Sequence, residues 1–159
     1  MPQATPATSV ATWIEEALFE HATGSGVTYR TDAPVPGHPP APLRGPKPME
    51  MLLGAAAGCS GADIVSVLAK MRLDLRSLRI RVEGERQEEH PRVYRRIRVI
   101  YEIDTDPIDP DKAWRAVELS ATRYCGVLAT LAATARVDYT LHCAGREFRG
   151  VLSDAPPTT

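Results

Sequence analysis

Cysteines are the residues in this chain best suited to redox chemistry, and the sequence contains three of them: Cys59, Cys125 and Cys143. Cys59 lies within the run MLLGAAAGCSGADIVSVLA, and Cys125 directly precedes Gly126, where a predicted helix breaks. Three widely spaced cysteines are too few for a disulfide-stapled secreted domain. They are therefore either small buried hydrophobic residues or working thiols, and composition alone favours the first interpretation.

Two features of the local sequence favour working thiols. Ser60 and Asp63 accompany Cys59 in an otherwise apolar run, and Asp63 follows Cys59 by four residues, which places both on one helix face. A buried carboxylate needs a partner, so we predict a polar pocket there. Free backbone N–H groups at the start of the helix after Cys125 are suited to stabilising a thiolate.

The remaining motifs do not indicate a metal or a cofactor. The four histidines lack the spacing of a metal site, and the chain has no CxxC, GxGxxG or GxxxxGK[ST] motif. We therefore predict no bound metal and no cofactor, and we expect Cys143 to be an inert residue of a strand.

A central helix over residues 48–72 is the element that would position Cys59. Pro48 suits the first helical position, and Glu50 suits the positive end of the helix dipole. The sequence between the two ends is apolar or small on every face, which is typical of a buried helix. Three glycines at near-helical spacing predict that another backbone approaches this helix closely: Gly54, Gly58 and Gly61.

Alternation and turn residues predict the other elements. Residues 78–82 and 93–103 alternate between apolar and charged side chains, which predicts an antiparallel hairpin with one solvent-facing side. Asp109 and Pro110 predict the start of the next helix. Other predicted elements are a hairpin around Gly24–Gly26 that follows a strand-or-helix run at 12–22, a proline-rich loop at 33–42, a helix at 127–135 and a last strand at 137–141. We expect one domain over residues 1–159, folded from about 11 to 143, with mobile tails at 1–10 and 150–159.

Composition excludes several classes of protein. The 159 residues have a mass of 17.3 kDa, 43% hydrophobic residues and a formal net charge of −1, which exclude wholesale disorder and a basic nucleic-acid-binding surface. The first residues lack a basic segment followed by an apolar run, and the apolar uncharged stretch 51–62 is shorter than the ~20 residues that span a bilayer. We expect a soluble cytoplasmic protein without nucleic-acid or membrane partners.

Three segments occur in a fixed order along the chain: GPKPMEMLLGAAAGCSGADIVSVLAKMR, GERQEEHPRVY and RAVELSATRYCGV. Together they resemble the OsmC/Ohr family of thiol-dependent hydroperoxide reductases, and within it the YhfA-like branch. The resemblance covers residues 12–142 approximately. It implies an α+β fold in which antiparallel sheets wrap long buried central helices and two chains intertwine into a homodimer.

The same resemblance implies roles for two cysteines. Cys59 would be the peroxidatic thiol, whose thiolate attacks the O–O bond of an organic hydroperoxide and becomes a sulfenic acid. Cys125 would be the resolving thiol that forms a disulfide with Cys59, and an external dithiol would restore the reduced state. Two alternatives keep the same fold: a non-catalytic protein that binds a small ligand, and a regulatory thiol–disulfide protein.

Peroxidase chemistry also needs a cation beside Cys59, because apolar surroundings raise the pKa of a thiol. The resemblance implies an arginine on the first strand, held by a glutamate near the start of the central helix. Glu50 matches that glutamate, but residues 12–22 contain no arginine, so Arg30 on the second predicted strand and Arg44 in the proline-rich loop are the candidates. Glu50 precedes Cys59 by nine residues, about 13.5 Å along a helix and half a turn out of phase. It would act through an arginine or from the partner chain, or it is simply a first-turn acid favoured by the dipole.

Overall fold

Seven strands and three helices follow one another along the chain in the computed structural model, which describes residues 7–39 and 41–153. The chain divides into two compact units, residues 1–52 and residues 53–159. The outer parts of the two predicted tails, residues 1–6 and 154–159, lie outside the described residues.

The first unit contains an antiparallel three-stranded sheet of β1 (Ser9–Glu15), β2 (Leu18–Thr23) and β3 (Thr28–Thr31), in that order. The run 12–22 forms two strands rather than one, because the chain reverses at Glu16, which has a positive φ of 47°. That turn contains neither glycine nor proline, so the sequence gives no ordinary turn signal there. Arg30 was predicted to lie on the second strand, but it lies on the third.

Helix α1 (Pro48–Lys70) confirms the predicted central helix. Within one chain it buries a single stripe of side chains: Ala56, Ser60, Ile64, Val67 and Leu68. The sheet of the second unit packs on that stripe, since a Cβ at Gly61 would meet Ile80 Cδ1 at 3.1 Å. The atoms that approach Gly61 belong to side chains and not to the predicted backbone, and a Cβ at Gly54 or Gly58 would meet nothing within 4 Å among the described residues of this chain. By length and composition α1 would also suit a membrane span, a criterion that the core helix of a soluble protein meets equally well.

The second unit contains a four-stranded sheet in the order β4 (Asp74–Arg86), β5 (Tyr94–Asp106), β6 (Arg136–Cys143) and β7 (Arg146–Ser153). Strands β4 and β5 form the predicted antiparallel hairpin. Strands β5 and β6 are parallel, which corrects the expectation of purely antiparallel sheets. The reason is that two helices follow β5 in the sequence and return the chain to the end of the sheet where β5 began, so β6 runs in the same direction as β5.

Strand β7 was not predicted, and it corrects the expected end of the folded part at residue 143. A two-residue turn at Ala144 and Gly145, with φ of 49° and 74°, joins β6 to β7. Positive φ at both positions is typical of a tight hairpin turn. The predicted tail 150–159 therefore begins inside a strand, and the predicted tail 1–10 likewise includes the first two residues of β1.

Helices α2 (Pro110–Leu119) and α3 (Gly126–Ala132) are separated by a π-helical turn at Ser120–Tyr124. Asp109 caps α2 as predicted, because its carboxylate accepts the backbone N–H of Lys112 at 3.0 Å. The break before Gly126 is also confirmed, although α3 ends three residues before the predicted position. In the π-helical turn, the N–H of Cys125 donates to the carbonyl of Ser120 at 2.9 Å. Such turns occur frequently at functional sites.

The core of the second unit lies between α1, α2, α3 and the inward face of the sheet. Its largest fully buried side chains include Ile64, Leu68, Ile97, Val99, Tyr101, Val117, Leu128 and Leu141. Tyr101 brings a hydroxyl group into this apolar core, beside the stripe of α1 that carries Ser60.

Candidate active site

Cys59 and Cys125 come together in the second unit, although they are distant in sequence. Cys59 lies in the middle of α1, and Cys125 lies between the π-helical turn and α3. Their Sγ atoms and a carboxylate oxygen of Asp63 all lie within 4.8 Å of one another. Both cysteines are free thiols. A disulfide bond is about 2.05 Å long, so the two sulfurs are near each other but not bonded.

The environment of Cys125 keeps its thiol protonated. The residue is only 2% exposed, and burial raises its pKa to about 11. The predicted backbone donor is present, because the N–H of Leu128 donates to Cys125 Sγ at 3.4 Å and lowers that pKa. The neighbouring Cys59 raises it further. The backbone of Val127 also lowers the pKa of Cys125, but burial outweighs both backbone groups, and the expected stabilisation of a thiolate at Cys125 is not achieved in the reduced protein.

A buried polar cluster lies next to the two thiols. Ser60 Oγ and Tyr101 Oη are hydrogen-bonded at 2.6 Å, and Ser120 Oγ lies 3.1 Å from Ser60 Oγ and 3.2 Å from Asp63 Oδ2. Ser120 has a single hydroxyl hydrogen to donate, and a carboxylate oxygen accepts a stronger hydrogen bond than a hydroxyl oxygen does. Asp63 and Ser60 therefore have the polar partners that were predicted, in a hydrogen-bonded cluster, and Ser120 links that cluster to the helix break that carries Cys125.

Two members of this cluster, Tyr101 and Ser120, were missed by the sequence analysis. Tyr101 occupies an inward position of β5 among apolar residues, so its pattern is that of a core aromatic residue. Burial raises its pKa, which keeps the phenol neutral and able to donate a hydrogen bond. The sequence did contain one signal for Ser120, because this residue lies in RAVELSATRYCGV, the third of the segments that carry the family resemblance.

Arg44, one of the two candidate cations, is held by three carboxylates of the first unit. Its guanidinium pairs with Glu15, lies 3.7 Å from Glu16 Oε2 and donates from Nε to Asp32 Oδ2 at 3.4 Å. The backbone N–H of Arg44 donates to Asp32 at 3.1 Å, and this bond is the main reason why the pKa of Asp32 lies below its usual value. These residues line a cavity of about 760 Å³ in that unit.

The other two predicted site residues have local partners in the first unit. Arg30 pairs with Glu20 on the adjacent strand at 3.3 Å, with both side chains about half exposed. Glu50 accepts the backbone N–H of Lys47 at 3.1 Å, and this hydrogen bond is the main cause of its lowered pKa. That contact is half of a capping box at the start of α1, so Glu50 has a structural role that accounts for its presence.

Cys143 is the last residue of β6. It is 3% exposed, and burial raises its pKa. Among residues 7–39 and 41–153, three possible metal-ligand atoms of cysteine, histidine or acidic side chains converge at one place, and they belong to Cys59, Asp63 and Cys125.

Comparison with known proteins identifies relatives of the chain. The family model described as OsmC-like protein matches residues 39–140. The chain is 36% identical over 119 residues to Protein YhfA of Escherichia coli strain K12, and this alignment covers 75% of the chain and 84% of that protein.

Solved structures show the same fold. An OsmC-like protein from Mycoplasma pneumoniae has a TM-score of 0.73 at 16% identity and covers 88% of this chain and 98% of its own. The organic hydroperoxide resistance protein OhrB of Bacillus subtilis has a TM-score of 0.59 at 18% identity, with 87% and 98% covered.

Proposed function

The chain belongs to the OsmC-like protein family, and from that premise we propose that it is a thiol-dependent peroxidase that reduces organic hydroperoxides. The observation that carries the proposal is the proximity of Cys59 Sγ to Cys125 Sγ, within 4.8 Å. OhrB of Bacillus subtilis, which shares the fold, is named an organic hydroperoxide resistance protein, and this name agrees with the proposed substrate class.

In the first step, Cys59 acts as the peroxidatic thiol. Its thiolate attacks the distal oxygen of the hydroperoxide, the O–O bond breaks, and the alkoxide leaves and takes up a proton to become an alcohol. Cys59 keeps that oxygen as a sulfenic acid. Cys59 is half-buried among small apolar residues of α1, so the alkyl part of a substrate would gain roughly 0.8 kcal/mol for each CH₂ group that it buries.

In the second step, Cys125 resolves the sulfenic acid. We assign Asp63 as the proton acceptor, because its carboxylate lies within 4.8 Å of both sulfurs and because the Cys125 thiol is protonated at neutral pH. The sulfur of Cys125 attacks Cys59 Sγ, the S–O bond breaks, and the leaving hydroxide takes the transferred proton to become water. An external dithiol then reduces the disulfide by two exchange steps and is itself oxidised to a disulfide.

Arg44 and Arg30 remain the candidates for stabilising the Cys59 thiolate. Both guanidinium groups are already paired with carboxylates of the first unit, so the pairing does not favour one over the other. A lower rate constant for reaction of Cys59 with hydroperoxide in Arg44→Ala or in Arg30→Ala would identify the arginine that serves the thiolate.

We also propose that the protein works as a homodimer. Helix α1 exposes Gly54, Gly58, Ala62 and Val65 on one face, and Val65 is 47% exposed. Such a strip of small and apolar residues allows another helix to approach closely, and leaving it in water forgoes the free energy of burying it. The family resemblance described above also implies a homodimer in which two chains intertwine.

The test of the peroxidase proposal is a thiol titration. The reduced protein receives less than one equivalent of cumene hydroperoxide, and free thiols are then counted. We expect two thiols to be lost for each peroxide consumed in the wild type and in the control Cys143→Ser, and no loss in Cys59→Ser. An unchanged thiol count in the wild type would remove the peroxidase function.

One observation favours a regulatory thiol–disulfide protein as the second candidate. Because Cys125 is protonated, its reaction with the sulfenic acid of Cys59 competes with attack by thiols of other proteins. In that case Cys125→Ser would accumulate mixed disulfides at Cys59 with partner proteins after exposure to peroxide, whereas a dedicated peroxidase would accumulate the sulfenic acid or its adduct with the small dithiol.

A further inference from the structure

The Cys59–Asp63–Cys125 cluster combines donor atoms that suit a transition metal as well as redox chemistry. We propose that the reduced cluster binds one Zn²⁺ ion, with the two thiolates and the Asp63 carboxylate as ligands. We further infer that the bound ion protects both thiols from oxidation. The second statement rests on the proposed peroxidase function, and the first does not.

The donor set matches the coordination chemistry of zinc. Zn²⁺ accepts cysteine sulfur at about 2.3 Å and carboxylate oxygen at about 2.0–2.2 Å, so neighbouring ligand atoms in a tetrahedral site lie roughly 3.5–3.8 Å apart. The three atoms here lie within 4.8 Å of one another, so contraction by about 1 Å would complete the site. Three protein ligands leave the fourth position open to water, as in sites that are not purely structural.

The supports of the ligands also suit a metal site. Cys59 and Asp63 are four residues apart on α1, so one rigid helix presents both to the same point. Ser120 Oγ holds Asp63 Oδ2 at 3.2 Å, and the Leu128 N–H donates to Cys125 Sγ. Hydrogen bonds of this kind orient metal ligands, and their loss typically lowers metal affinity by about 10–100-fold.

Charge supplies a further reason for a cation. Deprotonation of both thiols beside the Asp63 carboxylate would place three negative charges within a few ångströms, in a pocket where Cys125 is almost fully buried. A divalent cation offsets most of that charge, and its binding releases the protons that the thiols hold.

Bound zinc would prevent the redox reaction of both thiols. The lone pair with which Cys59 attacks a hydroperoxide would be engaged in the Zn–S bond, and Cys125 would be held at zinc rather than near a sulfenic acid. The cluster would therefore exchange between a metal-bound form that resists oxidation and a metal-free form that reacts. Regulation of this site by free Zn²⁺ follows from the same three side chains.

Cobalt titration tests the binding. The reduced full-length protein, freed of reductant and kept anaerobic, is titrated with Co²⁺ while thiolate-to-cobalt charge transfer is recorded. We expect saturation at one equivalent, displacement by Zn²⁺, loss of the charge-transfer band in Cys59→Ser and Cys125→Ser, and at least about tenfold weaker binding in Asp63→Asn. Cys143→Ser is the matched control and should bind as the wild type does. Circular dichroism of each variant shows that it is folded.

Absence of the charge-transfer band in the wild type, or a band that survives in Cys59→Ser, would overturn the metal site. The protective effect is tested separately with cumene hydroperoxide. The zinc-loaded protein should keep its thiols, and removal of zinc with a chelator should restore their loss; equal loss with and without zinc would overturn the protection. If cobalt binds as expected but the metal-free protein does not react with hydroperoxide, the metal site stands and the proposed peroxidase function fails.

Discussion

The high pKa of Cys125 gives a quantitative prediction for its reactivity. The perturbation is a pH series from 7 to 11 in the Cys59→Ser variant, in which Cys125 reacts without its neighbouring thiol. In the wild type, a pKa of about 11 corresponds to about 10⁻³ thiolate at pH 8, whereas an ordinary thiol with a pKa of about 8.5 is roughly one quarter thiolate. The variant removes the contribution of Cys59, but burial is the larger cause and remains.

The assay is alkylation with iodoacetamide, with Cys125 followed by peptide mass spectrometry. Since only the thiolate reacts, the rate should rise about tenfold for each pH unit through pH 9 and level off well above it. A small cysteine peptide in the same solution is the reference and should level off near pH 8.5. A plateau for Cys125 at or below that of the peptide would refute the conclusion that burial controls this thiol.

Three other perturbations test separate parts of the structure. Asp63→Asn should let the Cys59 sulfenic acid form but slow its conversion to a disulfide, and the rate of that conversion should rise more steeply with pH than in the wild type. Trapping with dimedone measures the sulfenic acid that remains, and a conversion as fast as in the wild type would contradict the role of the carboxylate. Gly84→Ala should lower the free energy of unfolding by about 1–3 kcal/mol in urea denaturation, because the added Cβ overlaps the buried ring of Tyr94; a free energy of unfolding equal to that of the wild type would contradict the packing. Gly58→Leu should weaken self-association in sedimentation equilibrium if α1 packs against a second copy, and an unchanged mass would argue against that face.

Much of the fold could be predicted because local signals agreed with the packing. Pro48 begins α1, and the alternation along β4 and β5 identified the hairpin and its inward face. Strand β7 was missed because its turn depends on positive φ at Ala144 as well as at Gly145, and alanine is not a usual signal for that conformation. The parallel pairing of β5 with β6 is a matter of topology, which no local pattern specifies.

The site was predictable only in part, for a related reason. Asp63 follows Cys59 by one helical turn, so their proximity could be worked out from spacing. Cys125 was linked to them by the family resemblance, because no spacing rule connects residues on α1 with a helix break in a different part of the chain. Ser120 is aimed at Asp63 by the π-helical turn, an irregularity that the sequence does not announce. The metal site was not predicted for the same reason: Cys59 and Asp63 supply only two ligands by spacing, and the third, Cys125, is 62 residues further along the chain.

The covalent linkage that forms on oxidation tests the central claim most directly. The reduced protein is treated with one equivalent of cumene hydroperoxide, blocked, digested without reduction and mapped by mass spectrometry. The account predicts a disulfide between the peptides that contain Cys59 and Cys125, with Cys143 recovered as a free thiol. A disulfide that involves Cys143, or recovery of both Cys59 and Cys125 as unmodified thiols, would contradict it.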